Sequence, residues 1–187
     1  MPTPERTSLE EIVEAAREIL ERDGLTRLTM QAVAQRVGVR APSLYKRVRD
    51  RDDLIRLVTE ATVRDLGDRL HAVAAGGDPR TRLAELVHAL RAFARARPAG
   101  YHLVFANAPA PARPEVRALA DAAAPVLQVA AELAGPAHAR EAARTLTAWA
   151  HGFISMELAG AFNLGGDVDR AYEYGIALLA GAFTKPS

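Results

Sequence analysis

Residues Leu28 to Leu57 read LTMQAVAQRVGVRAPSLYKRVRDRDDLIRL, and the spacing of apolar residues in this stretch predicts two short helices separated by a turn. Met30, Val33, Ala34 and Val37 fall on one face at helical spacing. Thr29 precedes them as an N-cap residue type, and Gly38 follows them with the backbone freedom that a tight turn requires. Val39 plugs the turn. Pro42, favoured in a first helical turn, opens the second helix, and Leu44 and Val48 hold that helix against the first. Ala34 is small where a neighbouring helix has to come close. Two short helices joined by about four residues with glycine in the turn make a helix-turn-helix.

The polar side of the same stretch is basic. Between Arg27 and Arg51 stand Arg27, Arg36, Arg40, Lys46, Arg47, Arg49 and Arg51 against a single acid, Asp50. The whole chain has a formal net charge of +1, so this excess is local, and it suits a phosphate backbone. By itself such a run also describes an ordinary solvated face; it is the turn geometry beside it that favours DNA.

Outward from this segment the chain is helical throughout. Ser8 with Glu11 forms a capping box, and Ile12, Ala16, Ile19 and Leu20 make a stripe that stops at Asp23-Gly24. A fourth helix begins at Asp50 and runs to Gly76-Gly77. A fifth opens at Asp78-Pro79 and reaches Arg97-Pro98, followed by a short helical turn from Gly100 to Phe105. The segment from residue 107 to 114, with three prolines, reads as a loop. Arg113 to Ala134 is a helix that Pro125 kinks, a long helix follows from about His138 to Asn163, and Asp167 caps a final one ending near Phe183. No segment alternates apolar and polar residues long enough to form a strand. The expected fold is therefore all-α with about nine helices: a three-helix helix-turn-helix domain over residues 1–50 and a helical ligand-sensing and dimerisation domain over 51–187.

With 49% hydrophobic and 25% charged residues in 187, the chain can bury a sizeable core. It has no cysteine, which removes disulfides, thiolate metal sites and cysteine nucleophiles and fits a reducing cytoplasm. The first residues do not form a signal peptide, and no apolar run approaches the ~20 residues of a membrane span. His71, His88, His102, His138 and His151 form no metal-ligand pair, and no phosphate loop, nucleophile elbow or paired-carboxylate motif is present. Catalysis, a cofactor and a metal are not expected.

The pattern LT…AVA…GV…LY…V…(K/R)…DL within the quoted stretch resembles the TetR family of regulators, well over residues 8–58 and loosely beyond. The resemblance implies a cytoplasmic, nucleoid-associated DNA-binding regulator, by default a repressor, that reads a palindromic operator as a homodimer and is released by a small-molecule effector. It places Arg40, Ala41, Pro42 and Ser43 at the start of the recognition helix, facing base edges. It puts Tyr45 on phosphate and sugar, Lys46 and Arg47 beside the groove, and Thr29 on phosphate at a helix N-terminus, with Arg27 nearby. Arg51 stands where the family usually has lysine, as a phosphate contact. From the residues alone, Tyr45 has a second reading as core.

Further on, Trp149-Ala150-His151-Gly152 is similar to the WHG-type C-terminal domain of a TetR subgroup. Trp149, Phe153, Met156 and Gly160 share a helical face that is expected to point inward. Ala148, Gly152, Ser155 and Ala159 form a strip of small residues, and Gly175, Leu178, Leu179 and Ala182 give the last helix a similar character. These eight positions are the expected dimer interface. Phe93, Tyr101, His102, Phe105, Trp149, His151, Phe153 and Met156 are candidates for an effector site taking a partly apolar small molecule, with plain core as the alternative for each. The competing function is a ligand-independent dimeric DNA-binding regulator whose C-terminal domain serves only dimerisation or protein contacts.

Overall fold

A computed structural model describes residues 7–106 and 108–183. Among these residues it contains nine α-helices and no strand: α1 (Leu9–Asp23), α2 (Met30–Arg36), α3 (Ala41–Leu44), α4 (Arg51–Val73), α5 (Pro79–Ala96), α6 (Pro98–Phe105), α7 (Val116–Ala134), α8 (Ala139–Leu158) and α9 (Val168–Ala182). The expected all-α architecture is borne out. No helix among the described residues is long and apolar enough to cross a membrane.

The local rules act where the sequence places them. Ser8 Oγ accepts from the Glu11 amide at 3.1 Å while the Glu11 carboxylate accepts from the Ser8 amide at 2.7 Å, completing the capping box of α1. Thr29 Oγ1 accepts from the Ala32 amide at 3.1 Å and Asp167 caps α9 through the Arg170 amide at 3.1 Å. Pro125 lies inside α7 without ending it.

Two compact units emerge. Among the described residues, the first comprises 7–65, 97–106 and 108–119; the second comprises 66–96 and 120–183. They are drawn differently from the expected boundary at residue 50, and the reason is packing. Leu54, Ile55 and Val58 of α4 are buried in the same core as Ile12, Ala16, Ile19 and Leu20 of α1, Leu28, Met30, Val33 and Ala34 at α2, and Leu44 and Val48 around α3. Leu103 of α6 and Ala112 belong to that core as well. α4 thus contributes its first part to one unit and its remainder to the other.

In the second unit, α8 corrects the expected inward face. Its buried stripe is Ala142, Ala143, Leu146, Ala150 and Ile154. Trp149 and Phe153 flank that stripe half-buried, Met156 is 48% exposed, and Gly160 lies beyond the helix end. The aliphatic row is the fully buried one, while Trp149 and Phe153 beside it turn toward Tyr172 of α9; Met156 and Gly160 are the positions that do not point inward. On α9 the buried residues are Tyr172 and Ile176.

Candidate nucleic-acid interface

The turn between α2 and α3 closes with paired backbone hydrogen bonds, Gly38 N to Gln35 O at 3.2 Å and Val39 N to Ala34 O at 2.9 Å. This is the Schellman arrangement, and it puts Gly38 at φ +71°, where a side chain would be strained. α3 is one turn long; Arg47 and Val48 continue it by donating to the Leu44 carbonyl at 2.9 Å each. Leu44 and Val48 are buried, so the residues between and before them are turned outward.

Arg40, Pro42, Ser43, Tyr45, Lys46 and Arg47 are all exposed, and Ala41 is half-buried. Tyr45 is 55% exposed and is not a core residue. The structure therefore brings Arg40, Pro42, Ser43, Tyr45, Lys46 and Arg47 onto one exposed turn, with Ala41 half-buried among them. Arg27 and Thr29, both exposed, line an open depression together with Asp23, Thr26 and Ala32. As an N-cap, Thr29 uses its oxygen as an acceptor and keeps its hydroxyl proton to donate.

Several basic residues of the segment have partners within the chain. Arg51 donates to the Leu28 carbonyl at 2.8 Å and to the Leu25 carbonyl at 2.7 Å. These two bonds hold the backbone turn that leads into α2 and leave the remaining guanidinium N–H groups as donors for the expected phosphate contact. Arg36 donates to Glu18 of α1 at 2.9 Å. Arg49 pairs with Asp53 at 3.2 Å. The basic excess counted along the sequence is thus partly spent on the fold.

Asp53 organises the connection from α3 to α4. Its carboxylate accepts from the Arg49 amide at 3.0 Å and from Arg56 at 2.7 Å, while its own amide donates to Asp50 at 2.9 Å. The Arg49 amide, followed by the Arg56 and Arg49 guanidinium groups, outweighs burial and holds the carboxyl well below the usual carboxylate range. The role of Asp53 in the fold depends on Arg49 and Arg56 closing around it.

The effector candidates fall into both units. Tyr101, His102 and Phe105 stand together on α6, with the Tyr101 ring 6.0 Å from His102 and 5.0 Å from Phe105. Tyr101 is fully buried and burial pushes its hydroxyl well above the usual phenol range, while His102 and Phe105 are exposed. In the second unit Phe93 is fully buried beneath the Arg69 guanidinium, 5.4 Å from its ring. Trp149 and Phe153 adjoin at 6.0 Å, and His151 Nδ1 lies 3.5 Å from Ser155 Oγ. Met156 is exposed.

The residue missed there is Tyr172. It is fully buried, stacks on Trp149 at 5.2 Å and 22°, meets Phe153 edge-on at 4.9 Å, and donates its hydroxyl proton to the Val87 carbonyl at 2.9 Å. Arg91, 6% exposed, lies over the Tyr172 ring at 4.4 Å and binds Glu157 through two hydrogen bonds of 2.8 and 2.6 Å. That pairing pulls the Glu157 carboxyl below its ordinary range. Tyr172 and Ile176 at i and i+4 were the available sequence signal.

Of the eight expected dimer positions, Ala148, Gly152, Ala159, Leu178 and Ala182 are exposed, and Ser155 and Leu179 are half-buried. Gly175 has a different role. A Cβ built on it would run into the Trp149 ring, so the indole lies against this position within the chain.

Residues 6–58 match the model of the bacterial regulatory proteins of the tetR family, and residues 83–179 match the tetracyclin repressor-like C-terminal domain, which spans the Trp149 to Gly152 motif. The chain belongs to the TetR family. Its members are transcriptional regulators that bind DNA, commonly as homodimers; they are not enzymes. An uncharacterized HTH-type transcriptional regulator of Mycobacterium tuberculosis is 34% identical over 170 residues, covering 89% of this chain and 76% of that protein. Among solved structures, the regulatory protein SCO4313 is 30% identical with a TM-score of 0.78, covering 92% of this chain and 94% of that one. A TetR variant from Acinetobacter baumannii AYE in complex with minocycline has the same fold, with a TM-score of 0.70 at 23% identity over 95% of this chain and 96% of that one.

Proposed function

We propose that this TetR-family chain is a repressor that binds a palindromic operator as a homodimer and is released by a small-molecule effector. The observation that carries the reading is the exposed turn from Arg40 to Arg47, held by the buried Leu44 and Val48. Arg40, Ser43, Lys46 and Arg47 offer hydrogen bonds to base edges or phosphates, Ala41 and Pro42 offer apolar contact to a thymine methyl, and Tyr45 reaches the backbone. Thr29 and Arg27 add phosphate contacts beside α2. One such turn per subunit reads one half-site, so two half-sites about 34 Å apart call for a dimer. Its proposed surface is the exposed strip of α8 with Leu178, Leu179 and Ala182 of α9. Acting on DNA, the protein belongs in the cytoplasm with the nucleoid.

The proposed effector is a partly apolar molecule taken up within one unit, either by Tyr101, His102 and Phe105 of the first or by residues drawn from Phe93, Trp149, His151, Phe153 and Met156 of the second, with α4, which runs through both, as the proposed lever. The minocycline complex of the Acinetobacter relative supports this class of ligand. A coupling of about 1–3 kcal/mol would weaken operator binding roughly 5- to 150-fold.

The full burial of Phe93 and Tyr101 favours a second reading, in which the C-terminal domain only dimerises or recruits a protein. Sequencing genomic DNA retained by the purified protein identifies the operator and its neighbouring genes. Recovery of a palindromic site is expected, and random recovery overturns the repressor reading. Operator titrations with compounds handled by the neighbouring gene products then separate the two readings: unchanged affinity at saturating, demonstrably bound compound removes effector release. Leu178→Glu is expected to shift the protein from dimer to monomer in sedimentation, and an intact dimer would move the proposed interface elsewhere.

A further inference from the structure

The Asp121 carbonyl of α7 stands four residues before Pro125. In an uninterrupted helix the amide of residue 125 donates to it; proline has no N–H, and its ring crowds that carbonyl outward. His71, near the end of α4, brings Nε2 to 3.1 Å from the Asp121 oxygen. A carbonyl oxygen can only accept, so the hydrogen bond requires the proton to be on Nε2. Gly67, one turn earlier on the same face of α4, allows this approach: a Cβ there would stand 3.1 Å from both Cα and Cβ of Ala122. Arg82 of α5 adds a third tie, pairing with Glu132 of α7 and reaching the Ala74 carbonyl, just past α4, at 3.4 Å. All of these residues lie within the second unit.

We propose that His71 is a positioning residue which supplies, from α4, the donor that Pro125 withholds from α7, and so fixes the end of α4 on the interrupted helix. Gly67 sets the distance, Pro125 turns out the acceptor, and His71 closes the contact. The three residues form one device: restoring the amide at residue 125 makes the histidine dispensable. The device is independent of whether an effector binds, and it gives the proposed α4 lever a held end.

A double-mutant cycle tests this, with urea unfolding at one fixed protein concentration because association shifts apparent stability. His71→Phe keeps a ring and removes the donor. In the otherwise native chain it is expected to raise the unfolding constant about 2- to 10-fold. In the Pro125→Ala chain, where residue 125 supplies its own N–H to Asp121, the same change is expected to cost less than about 2-fold. An equal cost in both backgrounds overturns the proposal. A readout that needs no variant is the imidazole tautomer from nitrogen NMR at a pH where His71 is neutral. The Nε2–H form is expected, and the Nδ1–H form overturns the proposal even if a variant does not fold.

Discussion

The turn from Arg40 to Arg47 and the pair α8–α9 both mount exposed side chains on buried anchors, and they differ in what they expose. The first presents Arg40, Ser43, Tyr45, Lys46 and Arg47 above Leu44 and Val48. The second presents Ala148, Gly152, Ala159, Leu178 and Ala182 above Ala150, Ile154, Tyr172 and Ile176. An outer face of cations and hydroxyls suits phosphates and base edges, where charge meets charge. An outer face of small and aliphatic residues suits another helix, where close approach removes apolar area from water. Two glycines add a caution. Gly38 is there for its backbone angle, whereas Gly175 is there for the Trp149 ring, although along the sequence it reads as one more small residue of an interface.

The largest expected effect separates DNA recognition from stability. Arg40→Ala combined with Arg47→Ala is expected to lower operator affinity at least about 100-fold, since each contact counts about 1–3 kcal/mol and a dimer makes it twice. The unfolding midpoint should stay within a degree or so, because both side chains are exposed. Fluorescence anisotropy on labelled operator, with thermal unfolding alongside, measures both. Affinity retained in the double variant would break the assignment of this turn to the operator.

Next is Gly175→Leu, which forces the side chain into the space of the indole. It is expected to destabilise the second unit by about 2 kcal/mol through overpacking and to change the emission of Trp149, the only tryptophan in the chain. Native stability with an unchanged spectrum, but a lost dimer, would return Gly175 to the interface and sharpen the boundary between the two faces.

The smallest effect concerns the support of the recognition turn. Asp53 accepts from the Arg49 amide and from Arg56, and its carboxyl lies below the ordinary range in the folded chain. A carboxyl whose folded pKa is depressed contributes stability that is fully present above its unfolded pKa, about 3.9. That contribution is lost as pH falls from there through the folded value. Asp53→Asn is expected to cost about 1–1.5 kcal/mol at neutral pH, and the difference from the native chain should shrink as pH falls below about 4. Urea midpoints at several pH values measure this; a difference independent of pH would mean that the Arg49 and Arg56 contacts do not act through charge.

Local chemistry made much of the fold legible. Ser8 with Glu11, Thr29, Gly38 and Asp167 are helix starts and stops that act on backbone groups within four residues, so spacing alone identifies them. The exposure of the turn from Arg40 to Arg47 is legible for the same reason, since Leu44 and Val48 at i and i+4 force what lies between them outward. Pro125 is legible as a residue without an amide inside α7, though not as the neighbour of a contact from His71.

What the sequence by itself determined is therefore the set of helices, the helix-turn-helix and the family. Each rests on short-range backbone satisfaction and on a motif confined to one stretch of chain. What only the tertiary structure decided is the use of side chains whose partners are distant in sequence. Arg51 ties down the carbonyls of Leu25 and Leu28, a role no spacing in the sequence announces. Tyr172 stacks on Trp149 and bonds Val87, and Gly175 yields its space to the same indole. Helical periodicity states which residues share a face; it does not state what that face meets. A guanidinium or an aromatic ring is satisfied by whichever group the packing brings within a few ångströms, and that choice is made only when the helices come together.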